Sequence, residues 1–530
     1  MRRLPHLCLE SIAVIFVLVP STALRVTVPV MMHTSGLQIL AAALTAVGVN
    51  GHTLWSRQDA DYQALVSSLS STAKVFYTGS DDFNNITTRW SNLDVPTVNV
   101  VVRPTTENDV AETVKFANKK GLPFLATNSA HGAITTLGKM KSGILLDLDE
   151  LTGVEIAADG QTVKVAGGTK SHVLSHALWD AGKQAVTGAC ECVSYLGPGL
   201  GGGHGFLQGR HGLIGDQFRS MNVVLANGTL VTINETATPD LWWAMNGAGH
   251  NFGIVTSVTS QIYNVEHQNW ALELMNFSGD LVEELYEVTN NEILKNGTQP
   301  VDLINWSYWM MSPDLDAEKP IVQILLMQEG VTAVDPAYTA PFHALGPLSN
   351  SSDSGVYTDL AKFVGVRTTD GPCQKTGANN PRFPIYLETF NTTAQKLAFD
   401  FFADSIVANP ALSTSLVTFD DYPMQGVKAK AGDSSAYGHR DQNVLVGPLL
   451  QYMPGDAALD DEVARLGNEF RQILHQGTGR DFVPVYLNYA FGNEGPEQWY
   501  GHEEWRMTRL QEVKAAYDPN GLFSLYGPIA

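Results

Sequence analysis

A glycine-rich stretch, one cysteine within it and a distant histidine are the residues of this sequence best suited to holding a cofactor. The stretch runs from Thr187 to Gly205, reads TGACECVSYLGPGLGGGHG and contains Cys190. His131 lies about 60 residues upstream. Glycine adopts backbone angles that are closed to other residues and lets the chain approach a ligand closely. The stretch therefore predicts a loop wrapped around a flat or phosphorylated molecule, with a glycine loop that holds no ligand as the alternative.

Other chemistries fit these residues less well. The stretch has no Gly-Lys-Ser/Thr ending, so it is not a phosphate loop of the nucleotide-hydrolase kind. A G-x-G-x-x-G match runs from Gly197 to Gly202, but Pro198 suits the strand-to-helix turn of a nicotinamide-type fold poorly. No Gly-x-Ser-x-Gly occurs, which argues against a serine hydrolase of that kind. Three histidines lie among glycines without metal-ligand spacing, so we expect no metal site: His204, His211 and His250.

The elements that must position these residues alternate between strand and helix. Val98–Val102 reads as a strand. The helix that follows begins with Thr106 as its N-cap and ends at Gly121. A strand over Leu122–Ala126 then delivers the loop that contains His131. Asn227-Gly228 predicts a hairpin between two β-rich runs. Further predicted elements are the strands Gly143–Leu148, Thr162–Ala166, Met221–Ala226, Thr229–Ile233 and Ile254–Ile262 and the helices Ser171–Ala181 and Pro239–Ala244.

Four segments differ in character along the chain. We assign residues 1–50 to a leader, 94–264 to a first mixed domain, 265–476 to a second domain and 477–530 to a segment that returns to the first. The second domain is poor in glycine and rich in aromatic residues, and it predicts a sheet covered by helices with a strand at Ile321–Gln328 and a helix at Leu397–Val407. In the returning segment, Val483–Tyr489 reads as a strand and Glu503–Tyr517 as a helix.

Size, charge and the N-terminus limit the possible functions. The chain has 530 residues and a net charge of −21, which argues against binding to nucleic acid or anionic membranes. Two apolar runs, Leu7–Pro20 and Leu37–Val49, are short for a membrane span. The second resembles the core of a signal peptide, with Met31 or Met32 as a possible start, so we expect secretion, and a membrane anchor is the alternative.

Sequons and cysteines agree with a secreted protein. We expect N-glycans on a surface that offers eight Asn-x-Ser/Thr sites: Asn85, Asn227, Asn234, Asn276, Asn296, Asn305, Asn350 and Asn391. Removal of the leader leaves three cysteines: Cys190, Cys192 and Cys373. An odd number leaves one sulfur without an internal partner and available for another covalent use.

Three motifs together carry a family likeness. They are the loop ending in His131, the stretch from Cys190 to Gly205 with its terminal GGGHG, and the tail motifs YLNY and YDPNGLF. With these motifs in this order, the chain resembles the FAD-linked oxidases of the vanillyl-alcohol-oxidase type, in particular the secreted fungal members of the berberine-bridge-enzyme-like branch. The resemblance implies an α+β fold, with a two-part PCMH-type FAD-binding domain and a substrate domain.

The resemblance also implies roles for individual residues. His131 stands where the family attaches FAD covalently, and Cys190 stands where bicovalent members add a second link. Asn488 would touch the flavin ring, Tyr489 would act as the base on the substrate hydroxyl, and His204 would face the substrate. The other implied cofactor contacts are Asn128, Ser129, Ala130, Gly132, Gly188, Val193, Gly197, Gly202, Gly205, Gly253 and Val255. Valine at position 193 suggests an oxidase, and Tyr486, on the opposite face of the predicted strand, is an alternative contact to Tyr489.

Departures from the family leave two questions open. Ser129-Ala130-His131 stands where many relatives have Gly-Gly-His, so the geometry of the loop amides is less certain. Cys192 is an extra sulfur beside Cys190. One hypothesis places Cys190 on the flavin and joins Cys192 to Cys373, and the other joins Cys190 to Cys373 and leaves only His131 attached.

We therefore expect an FAD-linked oxidoreductase that takes a hydride from a hydroxylated or activated carbon of a small molecule and passes electrons to O2, giving H2O2. The substrate would be a secondary metabolite or a saccharide. The alternatives are a dehydrogenase that reacts poorly with O2 and an inactive flavin-binding relative. A phenol with a pKa of about 10 is a poor base without nearby positive charge. The candidates for that charge are His204, Arg210, Lys428 and Arg440.

Overall fold

The computed structural model describes residues 62–529, so the predicted leader at residues 1–50 lies outside the described part. Residues 64–530 form one compact unit, and its described strands make three larger sheets and one two-stranded pair. None of the helices within the described residues is both long and apolar enough to cross a bilayer.

The first sheet positions the loop that contains His131. Its elements are β1 (Lys74–Tyr77), α1 (Asp81–Thr87), β2 (Val98–Arg103), α2 (Glu107–Lys120), β3 (Phe124–Thr127) and β4 (Gly143–Asp147), with the strands in the order β1-β2-β4-β3. β2, β4 and β3 run parallel. Helix α2 begins as predicted, because the Thr106 hydroxyl accepts the Asp109 N–H and the Asp109 carboxylate accepts the Thr106 N–H. It ends at Gly121, whose φ of 64° suits a helix end.

The second sheet surrounds the glycine-rich stretch. Its segment contains β5 (Val154–Ile156), β6 (Thr162–Ala166), α3 (Ser171–Asp180), β7 (Lys183–Gln184), α4 (Leu196–Leu200), α5 (Gln208–His211), β8 (Phe218–Leu225), β9 (Leu230–Ile233), α6 (Pro239–Ala248), β10 (Gly253–Gln261) and β11 (Tyr263–Asn264). Five strands pair in the order β5-β6-β10-β8-β9, and β7 pairs with β11. The predicted hairpin is confirmed, since Gly228 has a φ of 79° and the Asn227 side chain accepts the Thr229 N–H.

The third sheet is formed by the aromatic-rich segment. Its elements are β12 (Trp270–Ser278), α7 (Val282–Val288), β13 (Leu303–Ser312), β14 (Asp316–Glu329), α8 (Pro336–His343), β15 (Ser349–Gly355), α9 (Leu360–Phe363), β16 (Ile385–Leu387), α10 (Thr392–Ala408), β17 (Leu416–Asp421), α11 (Gln425–Lys428), β18 (Val444–Leu449) and α12 (Ala457–Gln476). The strand order is β15-β12-β14-β13-β17-β18-β16. Trp309 of β13 packs against Phe399 of α10 and Phe470 of α12, so these helices cover one face of the sheet, as predicted.

The opposite face of the third sheet carries the polar side chains that matter for the site. Side chains alternate along a strand and paired residues share a face. Trp306 pairs with Asp420 and Trp309 pairs with Val417, so Asp420 lies on the face away from α10 and α12. The neighbouring Asp421 therefore points to the helix-covered face.

The predicted strand over Val483–Tyr489 is wrong. The structure has a 3₁₀ turn at Leu487–Tyr489, and the residues before it form no ladder. Pro484 has no N–H to donate. The flanking backbone groups bond to two separate elements, Val485 N–H to the Gln498 carbonyl and the Pro484 carbonyl to Tyr386 N–H. The tail continues with α13 (Pro496–Tyr500) and α14 (Glu504–Tyr517).

Two of the eight predicted glycosylation sites lie inside the third sheet. Asn276 of β12 and Asn305 of β13 are 8% and 2% exposed. The Asn276 amide bonds to Ser349 and Gln323, and the Asn305 amide donates to Asp421. These two asparagines are therefore unavailable for a glycan in the folded protein.

Candidate active site

The loop that follows β3 holds His131 in a fixed place. The His131 ring stacks on Trp90 with 5.4 Å between ring centroids. Ala130, where many relatives have glycine, adopts a left-handed φ of 56° that favours glycine. The Ala130 carbonyl accepts the Trp90 N–H, which fixes the loop against the residue that supports His131.

The glycine-rich stretch meets this loop through sulfur. Cys192 Sγ lies 3.3 Å from His131 Nε2. Cys192 is joined to Cys373, and Cys190 is free. Cys190 Sγ lies 3.5 Å from each sulfur of the disulfide. The structure thus contradicts a Cys190–Cys373 disulfide and agrees with the hypothesis that leaves Cys190 for another bond.

The three cysteine sulfurs form a compact group, and their oxidation state decides whether they could bind a metal. The three lie within 4.8 Å of one another. Two of them are consumed in the disulfide, and burial raises the pKa of the Cys190 thiol to about 11. A thiolate, rather than a thiol or a disulfide, is what binds metals well.

Positive charge surrounds His131. The pKa of His131 is lowered to about 3. Burial is the largest cause, and the charges of Arg382, Lys375, Arg89 and Lys170 add to it. The imidazole is therefore neutral at pH 7 and keeps a free ring nitrogen. The Arg89 guanidinium donates to the Gly132 carbonyl at 2.9 Å, which ties one of these charges to the loop.

Several of the predicted glycines are needed for close approach. A Cβ on Gly132 would meet the Tyr526 ring at 2.8 Å, and one on Gly205 would meet the Thr187 carbonyl oxygen at 2.2 Å. Gly202 has a φ of 97° and packs against the Tyr437 ring. Gly197 lies in α4 and donates its N–H to the Ser194 hydroxyl. Gly188 and Val193 lie in the loop around Cys190.

The remaining predicted contacts are less close to the two loops. Asn128, at the start of the His131 loop, donates to the Gly167 carbonyl at 3.4 Å, and Ser129 follows it. Gly167 in turn packs against the Val255 carbonyl of β10. Gly253 packs against Val223 and Val224 of β8 instead. The assignment of Gly253 to the cofactor stays a prediction.

The C-terminal segment closes the site. Asn488 donates to the Pro198 carbonyl at 3.0 Å and to the Tyr486 hydroxyl at 2.8 Å, and it lies directly against Gly201. The Tyr486 and Tyr489 rings lie 5.2 Å apart. They share one cluster instead of opposite faces, because the 3₁₀ turn brings residues three apart together.

Tyr489 belongs to a polar group that the sequence did not reveal. Its hydroxyl donates to Asp420 Oδ2 at 3.3 Å, and the Arg382 guanidinium lies 4.1 Å from its ring centroid. Burial raises the pKa of Asp420 to about 7, against the opposing effects of Arg382 and the Tyr489 hydrogen bond. Burial and the Asp420 charge raise the pKa of Tyr489, and Arg382 opposes them. The Tyr489 hydroxyl therefore stays protonated near neutral pH, and its hydrogen bond directs that proton to Asp420.

The cations expected to assist Tyr489 are paired elsewhere. Arg210 pairs with Glu329 and Arg440 with Asp216, each at 2.7 Å. Lys428 donates to Asn443. The cation at Tyr489 is Arg382, which no motif in the sequence indicated. Asp420 had a weak signal, since two adjacent carboxylates interrupt an otherwise apolar strand in the run Phe419–Tyr422.

His204 is held in a network of side chains. Gln208 Oε1 accepts the Gly205 N–H, so His204 Nδ1 donates to the same oxygen at 2.9 Å. His204 Nε2 is then the acceptor for the Tyr386 hydroxyl at 2.7 Å. Burial lowers the pKa of His204 to about 4, so it is neutral at pH 7 and does not supply the positive charge expected of it. Its contact with substrate stays a prediction.

The residues that are present suit FAD. The Asn128 Oδ1 and Ser171 Oγ atoms are buried without a hydrogen-bond partner in the described structure. Three of the cations around His131, Arg89, Lys375 and Lys170, would offset the two negative charges of the pyrophosphate, and loop amides commonly bind such anions. FAD therefore fits the donors, the charge and the glycine-lined approach of this site.

Comparison with known proteins agrees with this site. A family model described as FAD binding domain matches residues 98–234, and one described as berberine and berberine like matches residues 485–529. The FAD-linked oxidoreductase chyH of Penicillium rubens is 64% identical over 478 residues, which are 90% of this chain and 95% of that protein. The FAD-linked oxidoreductase chry5 of Gibberella zeae is 60% identical over 511 residues, 94% of this chain and 100% of that protein.

The chain belongs to the berberine-bridge-enzyme-like family of FAD-linked oxidoreductases. It is an FAD-dependent oxidoreductase with the predicted PCMH-type FAD-binding fold. Among solved structures, the glucooligosaccharide oxidase of Acremonium strictum, described with a 6-S-cysteinyl, 8α-N1-histidyl FAD, superposes with a TM-score of 0.75. It is 17% identical, and the match covers 88% of this chain and 98% of that one.

Proposed function

We propose that this chain is an oxidase that removes a hydride from a hydroxylated carbon of a small organic molecule and uses O2 as the electron acceptor. Bound FAD would supply the chemistry, since its ring takes up the hydride and is reoxidised by O2 with release of H2O2. The substrate class, a saccharide or a secondary metabolite, is drawn from the family and from the fold likeness to an oligosaccharide oxidase.

The observation that carries the proposal is the hydrogen bond between Tyr489 and Asp420. A hydride leaves a carbon readily only if the neighbouring hydroxyl loses its proton. Tyr489 would accept that proton as its own passes to Asp420, 3.3 Å away. The Arg382 guanidinium over the Tyr489 ring favours the phenolate during the transfer.

His131 and Cys190 are proposed to hold FAD covalently. The neutral His131 imidazole has a nucleophilic nitrogen, and Cys190 stays outside the disulfide. The fold likeness to the Acremonium strictum oxidase, which is described with histidyl and cysteinyl links to FAD, supports the proposal. Acid precipitation tests it, because only covalent flavin stays with the pellet. We expect a yellow pellet that becomes colourless in the His131→Ala, Cys190→Ala double variant.

An oxygen electrode and a spectrophotometer test the reaction itself. With a panel of sugars, alcohols and phenolic acids, we expect at least one compound to bleach the protein and to consume O2. Tyr489→Phe should slow bleaching by about 10²–10⁴-fold while the protein stays yellow. Bleaching without reoxidation in air would indicate a dehydrogenase, and a yellow protein that no compound bleaches would indicate a binding protein.

The location of the protein is also a proposal. The apolar run at Leu37–Val49 and the accessible sequons support secretion of a glycosylated protein. Expression with the native N-terminus and recovery from the medium would test it.

A further inference from the structure

Arg382 is a charged residue at the site that has no acidic partner among the described residues. Its guanidinium carbon lies 4.1 Å from the Tyr489 ring centroid and 5.0 Å from that of Trp90. Its Nε atom is buried and has no hydrogen-bond partner among the described residues. No carboxylate oxygen of residues 62–529 lies within the 4.0 Å of a salt bridge. Arg382 is therefore held by aromatic rings and not by an acid.

Three inward-facing arginines of the described chain have acidic partners, whereas the buried Arg89 donates to the Gly132 carbonyl instead. Arg210 pairs with Glu329 at 2.7 Å, and Arg440 pairs with Asp216 at 2.7 Å. Arg471 pairs with Glu494. Taking a cation out of water is costly unless an anion compensates it. Arg382 lacks such a partner, and its Nε–H has no acceptor among the described residues, so this N–H can bind an anion that is not part of the protein.

The nearby acid does not fill this role. Asp420 bonds to the Tyr489 hydroxyl and lies beyond salt-bridge distance from Arg382. Its pKa, raised by burial to about 7, leaves it only partly ionised near neutral pH. The charge of Arg382 is thus not cancelled by Asp420.

The backbone at Arg382 is fixed, so the charge has a defined place. The neighbouring residues bond to the end of β18, Phe383 N–H to the Pro448 carbonyl and the Pro381 carbonyl to Leu450 N–H. Phe383 is fully buried and stacks on Phe491 at 4.6 Å. The Arg382 side chain therefore extends from a rigid strand edge toward Tyr489, and its planar guanidinium packs against the Tyr489 and Trp90 rings.

We propose that Arg382 binds a carboxylate of the substrate and so positions a planar, carboxylate-bearing molecule beside Tyr489. The Nε–H and a terminal N–H of a guanidinium form a fork that matches the two oxygens of a carboxylate. Trp90, Tyr486 and Tyr489 would pack against a flat ring attached to that carboxylate. The proposal deepens the proposed function and rests on it only for the place of the substrate beside Tyr489.

Calorimetric titration of the purified yellow protein with benzoate and benzamide tests the proposal. The two probes have nearly the same shape, but only benzoate is charged at pH 7.5. We expect wild-type protein to bind benzoate more tightly than benzamide. Arg382→Met should weaken benzoate binding by about 30-fold or more, because one partner of a buried charge pair is lost, and leave benzamide binding unchanged.

Three further variants make the result specific. Arg465→Met, the same substitution at an exposed arginine of α12, should bind benzoate like wild type. Arg382→Lys keeps the charge but loses the fork, so its benzoate affinity should lie between wild type and Arg382→Met, and it replaces Arg382→Met if that variant does not fold. Tyr489→Phe keeps the ring under Arg382, so it should bind benzoate normally even though we expect it to lose oxidation.

Benzoate binding is measured without turnover, so a failure of the oxidase proposal would leave this result intact. Three outcomes would overturn the role of Arg382. These are equal affinity for benzamide and benzoate, no benzoate binding to wild type at millimolar concentration, and unchanged benzoate affinity in both Arg382 variants.

Discussion

At the scale of single residues, the Asp420 carboxylate offers the sharpest test of the chemistry. Its pKa is raised to about 7, and only the ionised form can accept the Tyr489 proton. We expect kcat/KM to rise with pH through about 7 in wild type. Asp420→Asn should lower kcat/KM by about 10²–10⁴-fold and remove this ascending limb, because an amide cannot take up the proton.

The neighbouring residue provides a matched control for this prediction. Asp421 is buried like Asp420 but lies on the helix-covered face of the third sheet, where it accepts from Asn305. Asp421→Asn should keep the ascending limb. An identical pH profile in wild type and Asp420→Asn would show that another group titrates.

The residue types and motifs of the sequence predicted some residues of this site but not others. His131, Cys190, Asn488 and Tyr489 belong to recognisable motifs, and the structure brings their segments together. Arg382 could not be found in this way, because only the folding of a strand edge onto the tail places it over Tyr489. The pairing of other arginines with acids likewise depends on tertiary contacts that local patterns do not encode.

At the scale of elements, local signals predicted those elements that are stabilised locally. Helix α2 carries its own cap and end, and the hairpin at Asn227-Gly228 carries its own turn. The run Val483–Tyr489 has strand-like residues but no continuous partner, and Pro484 interrupts its hydrogen bonding. β-propensity reports how a residue fits a sheet that other segments must provide.

The disulfide links two elements far apart in the sequence. It ties the 3₁₀ turn at Gly371–Cys373 to the glycine-rich stretch across a separation of 181 residues. Closing so long a loop constrains the unfolded chain, so the Cys192→Ser, Cys373→Ser double variant should lose about 4 kcal/mol of unfolding free energy. Thermal unfolding of the variant against wild type measures the loss.

Peptide mapping without reduction provides the control. The Cys192 and Cys373 peptides should run as one species, and Cys190→Ser should leave that species in place. A cross-linked peptide of Cys190 and Cys373 would contradict the pairing.

At the scale of the whole molecule, the surface decides where modification is possible. Asn85, Asn227, Asn350 and Asn391 are exposed, while Asn276 and Asn305 are inside the third sheet. In protein made by a secretory host, glycopeptide mapping should find glycans at exposed sites and none at Asn276 or Asn305. Removing the Asn305 sequon through Ser307→Ala should leave the glycan mass unchanged. A glycan on Asn305 of folded, active protein would contradict the placement of β13.

The buried acids of the third sheet also set how stability depends on pH. Burial raises the pKa of Asp421 well above its usual range and that of Asp420 to about 7. In the folded chain these two carboxyls keep protons that the unfolded chain releases above about pH 4, so the stability that they contribute falls as pH rises from there through 7. Asp421 accepts one hydrogen bond from Asn305, and its other oxygen has no partner in the described structure.

Replacing the Asp421 carboxyl by a neutral amide should therefore remove the part of this loss that Asp421 causes. We expect Asp421→Asn to have a higher thermal midpoint than wild type at pH 8 and a similar one at pH 4.5. The control is Asp353, an exposed carboxylate that pairs with Lys362, and this ion pair lowers its pKa. Asp353→Asn should therefore not raise the thermal midpoint at pH 8. If the difference in thermal midpoint between Asp421→Asn and wild type were the same at pH 4.5 and pH 8, the carboxylate could not be buried as the structure has it.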